Sequence, residues 1–219
     1  MSTAIDASML LRPGLLDGVR VLVAGAAQLA PGGDVAVSGG SARLADTVAV
    51  TSAELGARVS AWRSGDALAP DVDQLVVDAA SLFAAAAAGK PAQSAARIAL
   101  SACLDGAWEA TRAVASAAFI DAGRPGRVVY LAPPSTADGS QGATHADAAR
   151  AGLENLARTL SIEWARYTVT LVTIAPGERT SAGEVAALTA FLGSTAGAYY
   201  SGCLFDLRDP VGAPASPGL

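Results

Sequence analysis

The sequence predicts an α/β fold, with a mostly parallel sheet of about six strands and helices on both of its faces. Short apolar runs rich in β-branched residues alternate along the chain with longer segments in which apolar residues recur at helical spacing. The clearest pair lies at 144–174, where a helical pattern leads directly into a β-branched run. A chain of 219 residues is also long enough to bury a full core. We therefore expect residues 1–207 to form a single domain, with 1–16 as a flexible lead-in.

The predicted strands are short apolar runs that end at glycine, proline or a polar residue. The first ends at Gly25, and the fifth ends at the sequence Ala-Pro-Gly at 175–177. In chain order, the six predicted strands are Arg20–Ala24, Arg58–Trp62, Gln74–Val77, Arg127–Leu131, Val169–Ile174 and Gly202–Leu207. The chain after the last strand, 208–219, holds three prolines and is expected to be a disordered tail.

The predicted helices carry an apolar face at a spacing of three or four residues. They occupy about Ala42–Leu55, Ser101–Ala122, Thr144–Arg166 and Gly183–Leu192. Gly56, directly after the first of them, is typical of a helix end. The Ala-rich segment Leu82–Ala88 is ambiguous from its pattern alone.

Composition and charge argue against several classes of function. The net charge is −5 and no basic block stands out, so we expect no nucleic-acid partner. One histidine and no cysteine cluster predict that there is no metal site, and Cys103 and Cys203 are expected to be buried free thiols. The uncharged stretch Ala186–Phe205 is interrupted by glycine, serine and threonine, so it is not expected to span a membrane. Since the N-terminus lacks a signal-peptide pattern, the chain is expected to be cytoplasmic.

Two helical segments carry a family resemblance. The helix and strand at 144–174 and the motif DGAWEATRAV at 105–114 resemble the catalytic helix with its following strand, and the central helix, of the short-chain dehydrogenase/reductase family. The resemblance implies a truncated, Rossmann-like three-layer sandwich. Only about a dozen residues separate Trp62 from Gln74, so we expect the third strand and its helix to be missing and the fold to look flavodoxin-like. The chain is also similar to the non-catalytic N-terminal half of large two-domain ketoacyl reductases.

The resemblance also implies where the catalytic residues of the family would stand. In that family a Tyr exchanges a proton with the substrate, a Lys lowers its pKa, a Ser holds the substrate oxygen and an Asn orders a water relay. Those four roles fall, respectively, on Ala146, Arg150, Pro133 and Cys103. Alanine and proline side chains cannot carry a proton, and arginine stays protonated. The sequence therefore predicts that all four catalytic positions are degenerate.

Two polar residues near these positions have simpler explanations. Ser135 takes the serine role only in a shifted alignment, and a serine after two prolines is typical of a loop. His145 lies beside the empty tyrosine position, where it could act as a base. Neighbouring residues on a helix point about 100° apart, so the His145 side chain does not take the place of the missing tyrosine. A position near the helix N-terminus explains His145 better.

The nicotinamide site is predicted to be degenerate as well. The resemblance sets Gly25, Leu29 and Pro31 at the three glycine positions of the family's phosphate-binding loop, and proline has no N–H to donate. Trp62 stands at the end of the second strand, where the family holds the adenosine ribose. After the fifth strand only Glu178–Ala182 intervene, so the family's substrate lid is missing. We therefore expect this chain to bind no cofactor.

Two functions remain open from the sequence. The first is a non-catalytic subunit that scaffolds or regulates an intact short-chain dehydrogenase/reductase, which binds the NAD(P), or that pairs with a second copy of itself. The predicted interface residues lie on the long helices and near the last strand: Trp108, Arg112, Phe119, Leu153, Leu160, Trp164, Tyr199 and Phe205. The second is a divergent NAD(P)- or acyl-CoA-binding oxidoreductase that uses Arg150 and a displaced glycine-rich loop at Pro31–Ser41. The pattern of losses favours the first.

Overall fold

In the computed structural model of the protein, which describes residues 10–25, 44–66, 71–134 and 141–208, six strands form one sheet. The strands are β1 (Arg20–Ala24), β2 (Arg58–Trp62), β3 (Gln74–Asp78), β4 (Gly126–Leu131), β5 (Val169–Pro176) and β6 (Cys203–Leu207). Their order across the sheet is β2-β1-β3-β4-β5-β6, and every neighbouring pair is parallel. The predicted α/β class and all six predicted strands are confirmed.

The strands are connected by helices in the described parts of the chain. These are α1 (Leu44–Glu54), α2 (Ala79–Ala87), α3 (Ala92–Val114), α4 (Gln141–Glu163) and α5 (Ala182–Gly193). The last turns of α3 widen into a π-helix at Ala115–Ile120, and short 3₁₀ turns lie at Ala165–Tyr167 and Ala196–Tyr199.

Two helix predictions differ from the structure. α3 begins at Ala92 and not at Ser101, because its Ala-rich first turns carry little apolar contrast although Ala96 and Ala99 are buried. The ambiguous segment at 82–88 proves to belong mostly to α2. In both cases small alanine side chains pack closely without producing a strong periodic signal.

A hydrophobic core lies on each face of the sheet. On one face, strand residues such as Leu22, Leu75 and Val77 pack with the buried sides of α2, α3 and α4. On the other face, alternate strand residues such as Val21 and Val76 pack with α1 and α5. Parallel strands that are covered on both faces are apolar along their whole length, which is why these runs were recognisable in the sequence.

The predicted loss of the third strand and its helix is confirmed by the sheet order. β2 is the edge strand of the described sheet, and β1 lies between β2 and β3. The described residues between β2 and β3, at 63–66 and 71–73, form no strand.

The connection from β5 to α5 is short and held by hydrogen bonds. The Thr180 hydroxyl accepts from the Gly177 amide at 2.8 Å and donates to the Leu207 carbonyl at 3.1 Å. Ser181 and Glu184 then form a capping box that starts α5. The five residues at 177–181 therefore lead directly into the helix, at the place where the family resemblance would put a substrate lid.

The end of the predicted lead-in is part of the fold. Leu16 is fully buried in the core beside α1, and its amide donates to the Leu55 carbonyl at 2.9 Å. The expectation that 1–16 are flexible was therefore wrong for Leu16, because this leucine fills the space between the start of β1 and the end of α1. Residues 1–9 and 209–219 lie outside the described residues.

Candidate functional site

The candidate site lies at the carboxyl ends of the parallel strands, the edge at which open α/β sheets bind their ligands. The structure places Gly25 after β1, Asp78 at the end of β3 and Pro133 just after β4. Ala146 and Arg150 come to the same edge from the first half of α4. The predicted degenerate positions on these elements are therefore together in space.

Arg150 lies at the part of this edge that is formed by β4, β5 and β6. Its side chain is 6% exposed, and Nη1 donates to the carbonyl oxygens of Pro133 at 2.9 Å and Pro176 at 2.7 Å. Nη2 lies 3.4 Å from the Ala175 carbonyl and 3.5 Å from the Asp206 carboxylate. One guanidinium thus ties the ends of β4 and β5 to β6.

The surroundings of Arg150 lower its pKa on balance. Burial lowers the pKa of Arg150, and the nearby Arg208 lowers it further, while Asp206 and Asp147 raise it. An arginine starts from so high a pKa that it stays protonated. The guanidinium is therefore a fixed cation that bonds carbonyl oxygens, and it has no proton to exchange with a substrate.

The neighbouring catalytic positions offer no hydroxyl group. Ala146 is 6% exposed and lies one helical turn before Arg150, on the same side of α4. Pro133 is buried, and its carbonyl is already bonded by Arg150. Ser135, the alternative for the serine role, lies outside the described residues. The ionisable side chains near the Arg150 guanidinium are those of Asp206, at 3.5 Å, and Asp147, at 4.0 Å.

Asp78 is a site residue that the sequence reasoning missed. It is fully buried, and Oδ1 accepts from the Ser81 amide at 2.9 Å. Oδ2 accepts from the Ser81 hydroxyl at 2.7 Å and from the Ala45 amide, in the first turn of α1, at 3.2 Å. A single carboxyl group therefore meets the N-termini of two helices, α1 and α2. The signal was available, since an Asp directly after a strand and before a helix is a typical N-cap.

Two opposing effects act on the Asp78 carboxyl. Burial raises the pKa of Asp78, and the acidic Asp46 raises it further, whereas the hydrogen bonds from Ser81 and Ala45 lower it. The net shift is upward, so desolvation outweighs three donors. The three groups nevertheless all donate to the carboxyl oxygens, which is the arrangement expected around an anion.

Gly25 is retained for a packing reason. Its φ is +91°, and a Cβ at this position would lie 2.8 Å from the Asp78 carbonyl oxygen. A larger residue would therefore clash with the end of β3. Leu29, Pro31 and the glycine-rich loop at Pro31–Ser41 lie outside the described residues.

The remaining predicted site residues are packed in the core. Cys103 is fully buried, and burial, with a smaller effect of Asp78, raises the pKa of its thiol to about 12. Trp62 is 7% exposed and joins the core beside Leu22 and Val77. Cys203 is only half-buried, which corrects the expectation for that thiol.

The interface prediction needs correction for three residues. Phe119 and Leu153 are fully buried and Leu160 is 7% exposed, all in the core between the helices and the sheet. They cannot contact a partner in this fold. The error has a simple cause, since the apolar stripe of a helix marks the side that faces its own sheet.

The other predicted interface residues reach the surface to different degrees. Trp108 is 42% exposed, Tyr199 is 91% exposed and Arg112 is exposed. Trp164 packs partly against the core, and Phe205 makes an edge-to-face contact with Tyr200 at 5.4 Å. Sequence reasoning also missed Ile162 on α4, which is 74% exposed.

Two further features are absent from the described parts of the chain. No group of three or more His, Cys, Asp or Glu side chains there could hold a metal ion. No helix there is long and apolar enough to cross a bilayer.

Comparisons with known proteins identify the fold. No protein-family model matches the sequence, and no curated protein matches it. Among solved structures, the chain is similar to a citronellol catabolism dehydrogenase, AtuB, of Pseudomonas aeruginosa PAO1, with a TM-score of 0.64 and 22% identity over 91% of this chain and 97% of that one. A putative 2-deoxy-D-gluconate 3-dehydrogenase of Agrobacterium tumefaciens, solved with bound NADP, gives a TM-score of 0.65 and 19% identity over 90% and 98%. A putative gluconate 5-dehydrogenase of Beutenbergia cavernae gives 0.64 and 21% over 90% and 97%. At these identities the likeness is one of fold.

Proposed function

We propose that this chain, which has the fold of short-chain dehydrogenases/reductases, is a non-catalytic subunit that scaffolds or regulates an active dehydrogenase or ketoreductase. In this proposal the partner is an intact, cytoplasmic enzyme of the same fold, and it binds the NAD(P). The chain itself contributes a rigid body and an outer helix surface.

The observation that carries the proposal is the position of Arg150. Its guanidinium bonds the Pro133 and Pro176 carbonyls at the ends of β4 and β5, at the edge where open α/β sheets bind their ligands. Ala146, one helical turn before Arg150 on the same side of α4, offers only a buried methyl group. A cation that holds the strand ends together serves stability, and it leaves the corner without a group for proton transfer.

The alternative function is a divergent NAD(P)- or acyl-CoA-binding oxidoreductase. The fold fits this alternative equally, since fold alone does not determine activity. In this alternative Arg150 holds a ribose or phosphate. Both terminal nitrogens of Arg150 already have partners within the chain, which weighs against it. Asp78 weighs against it too, because its carboxyl group is bonded to the first turn of α1.

The proposed docking surface is the outer side of α3 and α4. A Cβ on Gly152 would lie 2.8 Å from Leu104 Cδ2, so the two helices touch at this point. Trp108 follows Leu104 by one turn on the same side of α3, and Arg112 follows Trp108. A large, partly exposed tryptophan next to a close helix contact is a typical interface anchor.

The test is reconstitution with the partner. The tagged chain is expressed in its native host, the dehydrogenase that co-elutes is identified, and that enzyme is purified separately. We expect the two proteins to form a complex of fixed stoichiometry, and we expect the chain to change the kcat/KM or the thermal stability of the enzyme. The matched variant Trp108→Glu should fold equally well and bind at least about tenfold more weakly.

Two results would contradict the proposal. The first is turnover of NADPH by the purified chain alone, above the background of an Arg150→Ala control. The second is a chain that forms only homodimers and with which no dehydrogenase co-elutes. That result would remove the heteromeric role.

A further inference from the structure

The inference concerns the amino edge of the sheet, at the opposite end of the strands from Arg150. Two adjoining cavities lie here, one of about 360 Å³ and one of about 460 Å³. Asp17, Val19 and Arg127 line both of them. Ligand pockets in proteins are commonly of this size, so the amino edge has room for a small molecule.

Arg127 is the cation that the two cavities share. It is the second residue of β4 and is half-buried, and its Nη1 donates to the Gly193 carbonyl at the end of α5 at 3.0 Å. Within the described part of the chain, its guanidinium makes no other hydrogen bond and no ion pair. Burial lowers the pKa of Arg127, and Asp73 raises it in part, but an arginine still stays protonated. A partly desolvated guanidinium with unused N–H donors favours an anion as its partner.

Hydroxyl groups line the cavities around Arg127. Thr170 is the neighbour of Arg127 on β5 in the parallel register, so both side chains lie on the same face of the sheet. Thr168 lies directly before β5, and Thr195 follows the end of α5. Among the residues that the structure describes, none offers these three hydroxyls a hydrogen bond. They are therefore available to donate to a ligand beside the guanidinium.

The acid nearest to β3 in the smaller cavity is already engaged. The Asp73 carboxylate accepts from the Arg20 amide at 2.9 Å and from Arg124 Nη2 at 2.8 Å. The ion pair with Arg124 offsets the negative charge of Asp73. Asp73 therefore does little to repel an anion at Arg127.

The other charges at the cavities leave a surplus of about one positive charge. Arg12 and Arg127 line the larger cavity together with one acid, Asp17. A Cβ on Gly14 would lie 2.7 Å from Asp17 Oδ2, so this carboxylate is packed against the chain's own backbone. A surplus of this size suits a carboxylate, with one negative charge, better than a phosphate group, which carries about −1.5 to −2.

We propose that the amino edge of the sheet binds a small organic acid, whose carboxylate is held by Arg127 and by the hydroxyls of Thr168, Thr170 and Thr195. This site is separate from the carboxyl edge, where the catalytic and cofactor positions lie. The inference therefore goes beyond the proposed function and stands independently of it.

The experiment uses two variants of the site and a matched control. Arg127→Gln removes the charge and keeps an N–H donor for the Gly193 carbonyl. Thr170→Val removes one hydroxyl and keeps the shape of the side chain. The control is Arg58→Gln, since Arg58 is an exposed arginine at the start of β2, on the same edge of the sheet and outside both cavities.

Binding is followed by amide NMR spectra of the full chain, titrated with acetate, lactate, inorganic phosphate or chloride at equal ionic strength. We expect saturable shifts at the amides of Arg127, Thr170 and Thr195 with acetate and lactate, and none with chloride. Arg127→Gln should weaken the binding at least about tenfold, and Thr170→Val about threefold, because each loses a hydrogen bond to the ligand. Arg58→Gln should bind as the parent chain does.

Three results would overturn the inference and leave the proposed function standing. The first is the absence of saturable shifts with either acid. The second is unchanged binding by folded Arg127→Gln or, if that variant does not fold, by Thr170→Val. The third is tighter binding of phosphate than of both acids, which would contradict the match to a single negative charge.

Discussion

The carboxyl edge of the sheet and the outer side of α3 and α4 differ in which kind of side chain they bury and which they expose. At the sheet edge, Arg150 and Asp78 are buried, ionisable groups whose hydrogen bonds are made within the chain. On the outer helix surface, Trp108 and Ile162 are large apolar side chains that remain exposed. A ligand site normally shows the reverse arrangement, with polar groups left open in a cleft.

The difference between the two regions supports the proposed docking surface on α3 and α4. Polar groups at the edge are satisfied by strand ends and helix starts, so they stabilise the fold. Apolar groups on the helices have no such partner across that surface, and exposed tryptophan is typical of contact sites. The proposal that the chain functions by association with a partner draws its support from this difference.

The largest expected effect is a loss of stability on changing a core residue of α4. Leu153→Ala should lower the free energy of unfolding by about 3 kcal/mol, because it empties a fully buried site in the core. Urea unfolding followed by circular dichroism measures it. If Leu153 were instead an interface residue, the isolated chain would keep its stability and only association would suffer.

A second prediction tests the role of Arg150 as a strand tie. Arg150→Ala should cost about 2 kcal/mol, since the carbonyls of Pro133 and Pro176 lose their buried donor. Arg150→Lys should cost about half as much, because one ammonium group reaches fewer carbonyls than the guanidinium fork. Equal stability of all three proteins in urea would contradict the structural role. Arg150→Lys should show no dehydrogenase activity, as Ala146 and Pro133 still lack a hydroxyl.

A third prediction concerns pH. Burial raises the pKa of Asp78 above the ordinary value of 3.8, so the native state holds a proton that the unfolded chain releases first. Between the pKa of Asp78 in the unfolded chain and its higher pKa in the native state, the free energy of unfolding should fall as pH rises. The slope is about 1.4 kcal/mol per pH unit at most. Asp78→Asn lacks this contribution.

The measurement is urea unfolding from about pH 4 to about pH 8 for both proteins. The stability of the parent chain relative to Asp78→Asn should decline with pH over the lower part of that range and then level off. A relative stability that climbs with pH would mean that the three donors, and not burial, dominate the environment of Asp78.

The smallest expected effect on stability belongs to Trp108. Trp108→Glu should change the free energy of unfolding by less than about 0.5 kcal/mol, because the side chain is well exposed. The same variant should weaken the complex with the partner dehydrogenase, measured by size-exclusion chromatography with light scattering. A stability loss as large as that of Leu153→Ala would show that Trp108 belongs to the core, and the comparison between the two regions would fail.

Much of the fold could be predicted from the sequence because the strands are continuous apolar runs. All six were located, and the short spacing between Trp62 and Gln74 correctly indicated the missing third strand. The N-terminal part of α3 could not be predicted, since alanine packs tightly without a strong periodic signal. Leu16 was assigned to a lead-in because a single buried leucine before a strand has no pattern of its own.

The site could be predicted only in part. Periodicity distinguishes two sides of a helix but does not say which one faces a partner, and this is why Phe119, Leu153 and Leu160 were assigned to an interface. The partners of Arg150 are carbonyl oxygens, which every residue carries, so no sequence motif could have indicated them. Asp78 had a local signal for α2, but its bond to Ala45 joins residues 33 positions apart and depends on the tertiary fold.

The central claim is that this chain binds no nicotinamide cofactor by itself, and calorimetry tests it most directly. NADP⁺ and NADPH are titrated into the purified chain to about 1 mM, the upper end of the range typical for enzymes and their substrates. The account predicts no binding heat above dilution and no thermal shift. Saturable binding of either nucleotide, lost on Arg150→Ala, would contradict it and favour the divergent oxidoreductase.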